Sequence, residues 1–484
     1  MRSTFGGIET TLRGLRAQQL ALDITGHNIS NANTPGYSRQ VAGLIATDPY
    51  AVPTMNRNAI AGQIGTGVEA NEICRMRDEF VDRRTQYENA SLGYWDARHR
   101  NFNQLEVTMA EPTDLEGGAS IGSQLNEFWD ALQKLGNANR PDNVAVRSVV
   151  REKALNLCDT IRSTYNQLKS LQQDLNTEIS VRVGRVNSIA QEIAGLNREI
   201  AKVVSMGNQP NDLLDHREQL VNELAGLTDI SLQSDELNRY TISISGMMLV
   251  SKDTAFAIET QVNTDDTDSI PDGMNEVVWA YNGEDVNLSN GELKGLMDMR
   301  DTEIPYYLES LDTFTTTLVD KFNTQHALGF GLDGNNGRLF FETGSDASNI
   351  TLAADILDAV NGLNNIAASR NGQVGNGENA LELAGLIKDQ SFVALGDASL
   401  SDYYGGLIAK LGVDAEKAKV TYKNQKTLIN HLQNMQESVA GVSLDEEMAN
   451  MIRFQNAYNA AARIMTALDE ALDKLINGTG LVGR

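Results

Sequence analysis

Residues 23–40, DITGHNISNANTPGYSRQ, decide how this 484-residue chain is built. Up to and into that run, Phe5, Ile8, Leu12, Leu15, Leu22 and Ile29 recur at the spacing of one helix seam. Thr34-Pro35-Gly36-Tyr37 then stops the helix, because proline fixes its own φ and glycine frees the next residue for a turn. A second seam closes the chain, with Leu444, Met448, Met451, Gln455, Tyr458, Ala462, Met465, Leu472 and Leu475 on one helix pattern. A chain with a seam at each end can pair its own termini or offer them to a neighbouring subunit.

Between the seams lies a long body. No proline intervenes from Pro141 to Pro210, and Ile161, Leu168, Leu175, Ile179, Val186, Ile193 and Ile200 recur at helical spacing. The pattern predicts one helix of roughly 60 residues, about 90 Å long. Pro210 breaks it, Asn211 or Asp212 is placed to cap the next helix, and Gly226 to end it, which makes an antiparallel hairpin. Over residues 240–245 the apolar period changes to two, the mark of a strand, and Gly246 offers a turn into the next one. The expected fold is mainly α with an inserted β domain. Its parts are terminal coiled-coil-like helices (1–40 with 441–484), a long helical bundle body (41–230, 291–328 and 380–440), a β insertion (231–290) and a turn-rich irregular insertion (329–379). The β insertion enters and leaves through the body, so it is expected to be dispensable for assembly.

Charge and chemistry narrow the function. A formal net charge of −25 argues against nucleic acid, whose phosphates call for a basic surface, and against anionic lipid. No apolar run approaches the ~18–20 residues of a membrane span, and Arg13 and Arg16 interrupt any signal-peptide core. Cys74 and Cys158 fit neither a metal knuckle nor a redox pair and read as free thiols, while the five histidines lack metal spacing. Residues 329–334 spell GxGxxG, but they follow a helix pattern and carry Asp333 where a phosphate would lie, so they read as a Gly-rich turn. The following Asn335-Asn336-Gly337 lacks the closing Glu of a calcium loop. Asp265, Asp266 and Asp268 crowd one loop and read as solvated. No catalytic, cofactor or metal site is expected, and the chain reads as a non-enzyme.

The two terminal runs resemble those of the bacterial flagellar axial proteins, the rod, hook and hook-associated family. The resemblance rests on residues 23–40, ending Pro35-Gly36-Tyr37-Ser38-Arg39-Gln40, and on Leu444-Asp445-Glu446-Glu447 followed by Arg453-Phe454-Gln455-Asn456-Ala457-Tyr458. Segments 64–68, 78–80, 211–215 and 291–296 follow the family's order, so the resemblance spans the chain; His27 departs from it, where Asn is more usual. It implies a structural subunit joining hook to filament, exported uncleaved through the flagellar type III apparatus to the outside of the cell. The implied partners are the hook protein, a second hook-associated junction protein, copies of this chain and an export chaperone, with no nucleic acid or membrane among them. Another axial protein of the family is the alternative; outside it stand a secreted coiled-coil adhesin and an enzyme on a helical stalk.

The expected assembly interface is Phe5, Ile8, Leu12, Leu15, Leu22 and Ile29, the turn residues Asn31, Asn33, Pro35, Gly36 and Tyr37, and Leu444, Met448, Met451, Gln455, Tyr458, Met465, Leu472 and Leu475. Gly6, Gly7, Gly14 and Gly26 weaken the first helix, and the closing one is rich in alanine. An isolated pair would be marginal, so the termini are expected to be unordered in a free monomer and to fold on neighbours.

Overall fold

A computed structural model describes residues 6–49, 65–109, 120–138, 140–263, 270–271 and 273–478. Phe5 and the acidic run Asp265, Asp266 and Asp268 lie outside them. Helix α1 (Gly6–Asn31) leads into an antiparallel hairpin, β1 (Gln40–Ala46) and β2 (Val68–Arg75), where the sequence reading expected only helical body. Val41, Leu44 and Ile45 of β1 stay exposed, so no one-sided burial pattern marked the strand.

The body is built on α2 (Glu79–Met109), α3 (Ile121–Gly136), α4 (Val144–Ser205) and α5 (Asn211–Leu227). Helix α4 runs for 62 residues, about 93 Å, as its proline-free spacing predicts. Asn143 caps it, its side-chain oxygen accepting from the Ala145 amide at 2.9 Å. Its inner face passes through two apolar cores. Val150, Leu157 and Ile161 join Phe128, Phe314, Phe322 and Phe340 in one. Leu168 through Ile200 pack with Leu220, Val221 and Leu224 of α5 in the other.

Helix α5 starts without a side-chain cap, after Pro210. Asn211 is spent elsewhere: its amide donates to the Ile73 carbonyl at 2.8 Å, tying α5 to the hairpin. The helix also runs through Gly226 to Leu227 rather than stopping there. Backbones crowd at that point, since a Cβ on Gly93 of α2 would stand 2.1 Å from the Gly226 carbonyl oxygen.

Strands β3 (Ser231–Ser234), β4 (Tyr240–Ile244), β5 (Met247–Ser251) and β6 (Thr254–Ala255) form an antiparallel sheet in chain order; β7 (Ile258–Val262) and β8 (Asn275–Trp279) form a separate pair. Ser245 and Gly246, at φ 49° and 89°, make the two-residue turn between β4 and β5. This β region does not hang free. Ile242, Ile244, Val250, Ile258, Val277 and Trp279 share one core with Val186, Ile189 and Ile193 of α4. Helix α4 also pairs with strand backbone through two amides about three turns apart. Asn187 donates to the Ile258 carbonyl (2.7 Å) and accepts from the Ile258 amide (3.0 Å). Asn197 does the same with Tyr240, at 2.8 and 3.0 Å.

Helix α6 (Glu292–Asp298) passes through a π-helical turn into α7 (Ile304–Leu328). The turn-rich segment that follows holds α8 (Ala354–Leu357). Within it the glycine-rich run is a turn: Asp333 accepts from Arg338 at 2.9 Å and from the Asn335 amide at 3.1 Å, with Gly334 and Gly337 at φ 79° and 78°. Helix α9 (Glu378–Gly385) then leads to α10 (Leu400–Ala440), which lies antiparallel on α2, with Gln425 reaching Glu88 and Gln436 reaching Asp82 at 2.7 Å. Three residues later α11 (Leu444–Asn477) begins. Cys74 on β2 and Cys158 on α4 are both free thiols, and burial pushes Cys158 up to about 12. No helix among the described residues is long and apolar enough to cross a membrane.

Candidate assembly interface

Helices α1 and α11 run antiparallel. Asn28, near the end of α1, meets Glu447, near the start of α11, and Gly7 lies against the Leu468 side chain. The termini therefore pair within one chain, where the sequence reading expected them to order only on neighbours. Polar ties at the root of the pair hold it there.

The paired faces differ from the expected seams. The fully buried residues of α1 are Ala17, Ala21, Ile24, Thr25 and Asn28; all but Ile24 are small or polar side chains that a hydrophobic pattern passes over. Ile8, Leu12, Leu15, Leu22 and Ile29 are half-buried at the flanks. On α11, Met451, Phe454, Ala457, Ala461, Met465, Leu468 and Leu472 step by threes and fours along a half-buried stripe. Leu444, Met448, Gln455, Tyr458 and Leu475 stand exposed around it, together with Ile452, Ile464 and Ile476. The structure thus brings Met451, Met465 and Leu472 toward α1 and leaves the other five expected positions facing outward.

Between the pair and the body sits the turn. Asn31 accepts from Thr34 at 3.2 Å, and its amide donates to the His27 carbonyl at 3.1 Å. Asn33 and Pro35 are exposed, the Pro35 carbonyl accepting from Gln219 of α5. Gly36 adopts φ 75°, and a Cβ there would collide with the Gln219 side chain. The Tyr37 hydroxyl donates to Asn28 Oδ1 at 2.8 Å, and His27 packs edge-on to its ring at 5.5 Å. Burial, then the nearby carboxylates of Asp212, Asp215 and Glu447, push the Tyr37 phenol well above its ordinary value, so it serves as a donor.

Six segments meet in the buried polar root. Asn28 donates to the Gln40 carbonyl at 2.9 Å and to Glu447 Oε2 at 3.1 Å, and accepts from the Gln40 amide at 3.0 Å. Arg39 donates from Nε to Glu447 Oε1 at 2.9 Å, and its backbone amide bonds the Ala440 carbonyl at 2.8 Å. Asp215 of α5 accepts from the Ser38 amide (2.9 Å), the Ser38 hydroxyl (2.7 Å) and Arg75 Nη1 (2.7 Å). Gln40 donates to Asp212 at 2.9 Å. Asn28, Ser38, Gln40, Asp215 and Glu447 are all buried. Ser38, Arg39, Gln40, Asp215 and Glu447 stood in the quoted motifs, yet nothing in their spacing said that they touch. Such a root orients one helical pair on one body.

Comparison with known proteins fits this layout. Residues 8–37 match the flagella basal body rod protein family, and residues 433–478 match the flagellar basal body rod FlgEFG protein C-terminal family. Paired terminal helices of rod type, closing on a long helical body, define a flagellar axial protein. Residues 102–341 match the helical domain of flagellar hook-associated protein FlgK. Flagellar hook-associated protein 1 of Bacillus subtilis (strain 168) is 34% identical, with 100% of each chain covered. The protein of that name from Escherichia coli (strain K12) is 25% identical over 97% of this chain and 99% of its own. A solved structure of the flagellar hook junction protein FlgK from Burkholderia pseudomallei shares the fold, with a TM-score of 0.61 at 16% identity, covering 74% of this chain and 100% of that one. The chain belongs to the flagellar hook-associated protein 1 family, a family of structural flagellar proteins.

Proposed function

We infer that this chain is a structural subunit of the hook–filament junction, and that it joins its neighbours through the outer surface of the α1–α11 pair. The full-length family match supports the junction role. The interface reading rests on one observation: α11 has 34 residues, yet Leu444, Met448, Ile452, Ile464, Leu475 and Ile476 all stand exposed along it. So much apolar surface on one helix is incomplete in a lone chain and fits an element covered in an assembly. The rod-type termini support association with other axial proteins. We assign the hook protein to one side, a second hook-associated protein to the other, and further copies of this chain laterally. Export through the flagellar type III apparatus, with a chaperone, and residence outside the cell complete the reading.

The test is Ile452→Asp and Met448→Asp, each introduced into a strain lacking the wild-type gene. Both side chains are exposed, so the purified variants should melt within about 0.5 kcal/mol of wild type. Buried against a neighbour, the new charge would cost several kcal/mol. Negative-stain images should then show hooks without filaments. Normal filaments from both variants would refute the interface.

A further inference from the structure

Of the 34 residues of α11, the one that is fully buried is Glu447, at 2% exposure. We propose that Glu447 is a positioning residue that sets the register of the terminal helix pair. It thereby selects which residues of α11 face α1 and which face a partner. The proposal rests on the reading of this pair as the assembly surface.

The apolar seam cannot choose a register alone. Its α1 side is centred on Ala17 and Ala21, and α11 carries Ala449, Ala457, Ala460, Ala461, Ala462, Ala467 and Ala471. Small side chains interlock weakly, and steps of three and four repeat every seven residues. A slide of one heptad therefore keeps the seam mostly apolar, the situation in which a single polar residue is known to fix register.

Glu447 supplies that residue, and its partners are held rigidly. Oε1 accepts from Arg39 Nε at 2.9 Å and forms an ion pair with Nη2 at 2.8 Å, while Oε2 accepts from Asn28 Nδ2 at 3.1 Å. Asn28 cannot turn away, because its Oδ1 already accepts from the Tyr37 hydroxyl and the Gln40 amide. Arg39 is tied by its own backbone amide to the end of α10. A slide of one heptad would bring Phe454 to this pocket in one direction and Ala440, the last residue of α10, in the other. Either would leave a guanidinium and a buried amide facing groups that cannot pair with them. Losing charge-assisted bonds of this kind disfavours the slipped state by roughly tenfold to a hundredfold.

The experiment uses the full chain with Cys74→Ser, Cys158 being buried. Gly7→Cys is combined in turn with Leu468→Cys, Ala461→Cys and Leu475→Cys, and a short bis-maleimide reports which pair lies close in the soluble monomer. With Glu447 present, the Leu468 position should cross-link at least about tenfold more than the heptad-shifted positions. In Glu447→Ala the three yields should approach one another. Glu447→Gln should restore most of the preference, because its amide carbonyl still accepts from Arg39 or Asn28. A tenfold preference surviving in Glu447→Ala would overturn the proposal. So would scrambling in Glu447→Gln equal to that in Glu447→Ala. Loss of all three cross-links with an unchanged melting temperature would also overturn it, since Glu447 would then dock the helix and not select among registers. Because only the monomer is read, the result stands apart from whether the pair meets hook or filament subunits.

Discussion

Asp215 gathers three hydrogen bonds from residues far away in sequence, two from Ser38 and one from Arg75, in a setting closed to solvent. Its replacement by alanine strands a guanidinium and a buried amide. Asp215→Ala is therefore expected to lower stability by roughly 3–5 kcal/mol, and Asp215→Asn by less, in thermal melts. A loss under about 1 kcal/mol would mean that water takes over the carboxylate's bonds. His326 poses a different problem at the same scale. Its Nδ1 donates to the Arg338 carbonyl at 2.8 Å and its Nε2 accepts from the Ala367 amide at 2.9 Å, so the folded site suits the neutral ring. Burial lowers its pKa from the ordinary 6.5 to about 4. The unfolded chain takes up a proton near 6.5 and the folded one only near 4, so unfolding gains protons across that window. This contribution to stability is whole above pH 6.5 and is lost as the pH falls to about 4, a span worth about 3 kcal/mol. Melts of wild type and His326→Gln from pH 7 to 4 isolate it: the wild type should show the steeper acid loss. Parallel curves would remove His326 from the account.

Among the elements, what the sequence showed depended on whether a residue's partner was nearby in sequence. Helix α4 was legible because a helix supplies its own hydrogen bonds and its buried face repeats within itself. The β4–β5 turn was legible in the same local way, through Gly246. The β1–β2 hairpin was not, because its apolar side chains face outward and give no contrast between faces. Nor were Asn187 and Asn197, which read as polar residues on a helix until the strands they complete are in place. The terminal seams fell between these cases. Their helices were plain from periodicity, but the contact face is built on Ala17, Ala21 and Asn28, which carry no apolar signal. Packing also revises the expectation that residues 231–290 can be removed. Val186, Ile189 and Ile193 of α4 are fully buried in a core that includes the β strands. Re-exposing them costs ~1.5–3 kcal/mol each, so a Gly/Ser linker in place of residues 231–290 should lower stability by roughly 5 kcal/mol or more. The readouts are the melting temperature and the soluble yield. A linker variant that melts like wild type would show that α4 keeps its partners without the β region.

At the scale of the whole molecule, two apolar cores are strung along α4, and the α1–α11 pair joins them through a polar root. These two kinds of attachment hold unequally. A core that buries Phe128, Phe314, Phe322 and Phe340 opens only with global unfolding, whereas a helix pair with mostly half-buried contacts frays from its free end. The root combines backbone and charge-assisted bonds; the far end has Gly6, Gly7 and Gly14 on one helix and exposed Leu475 and Ile476 on the other. Hydrogen exchange on the purified chain should therefore be graded along the pair. Amides around Ile24–Asn28 and just after Glu447 should exchange slowly, and those of residues 6–12 and 472–477 quickly, with α4 slowest of all. Limited proteolysis should clip beyond residue 472 before it cuts at the 441–443 linker. In isolated hook–filament junctions the fast ends should become slow, because neighbouring subunits would cover the exposed apolar residues. Uniformly fast exchange through both helices of the monomer would mean that the root does not hold the pair, and that the termini fold only on contact. Uniformly slow exchange would mean that the pair is complete in one chain and needs no neighbour to order its tip.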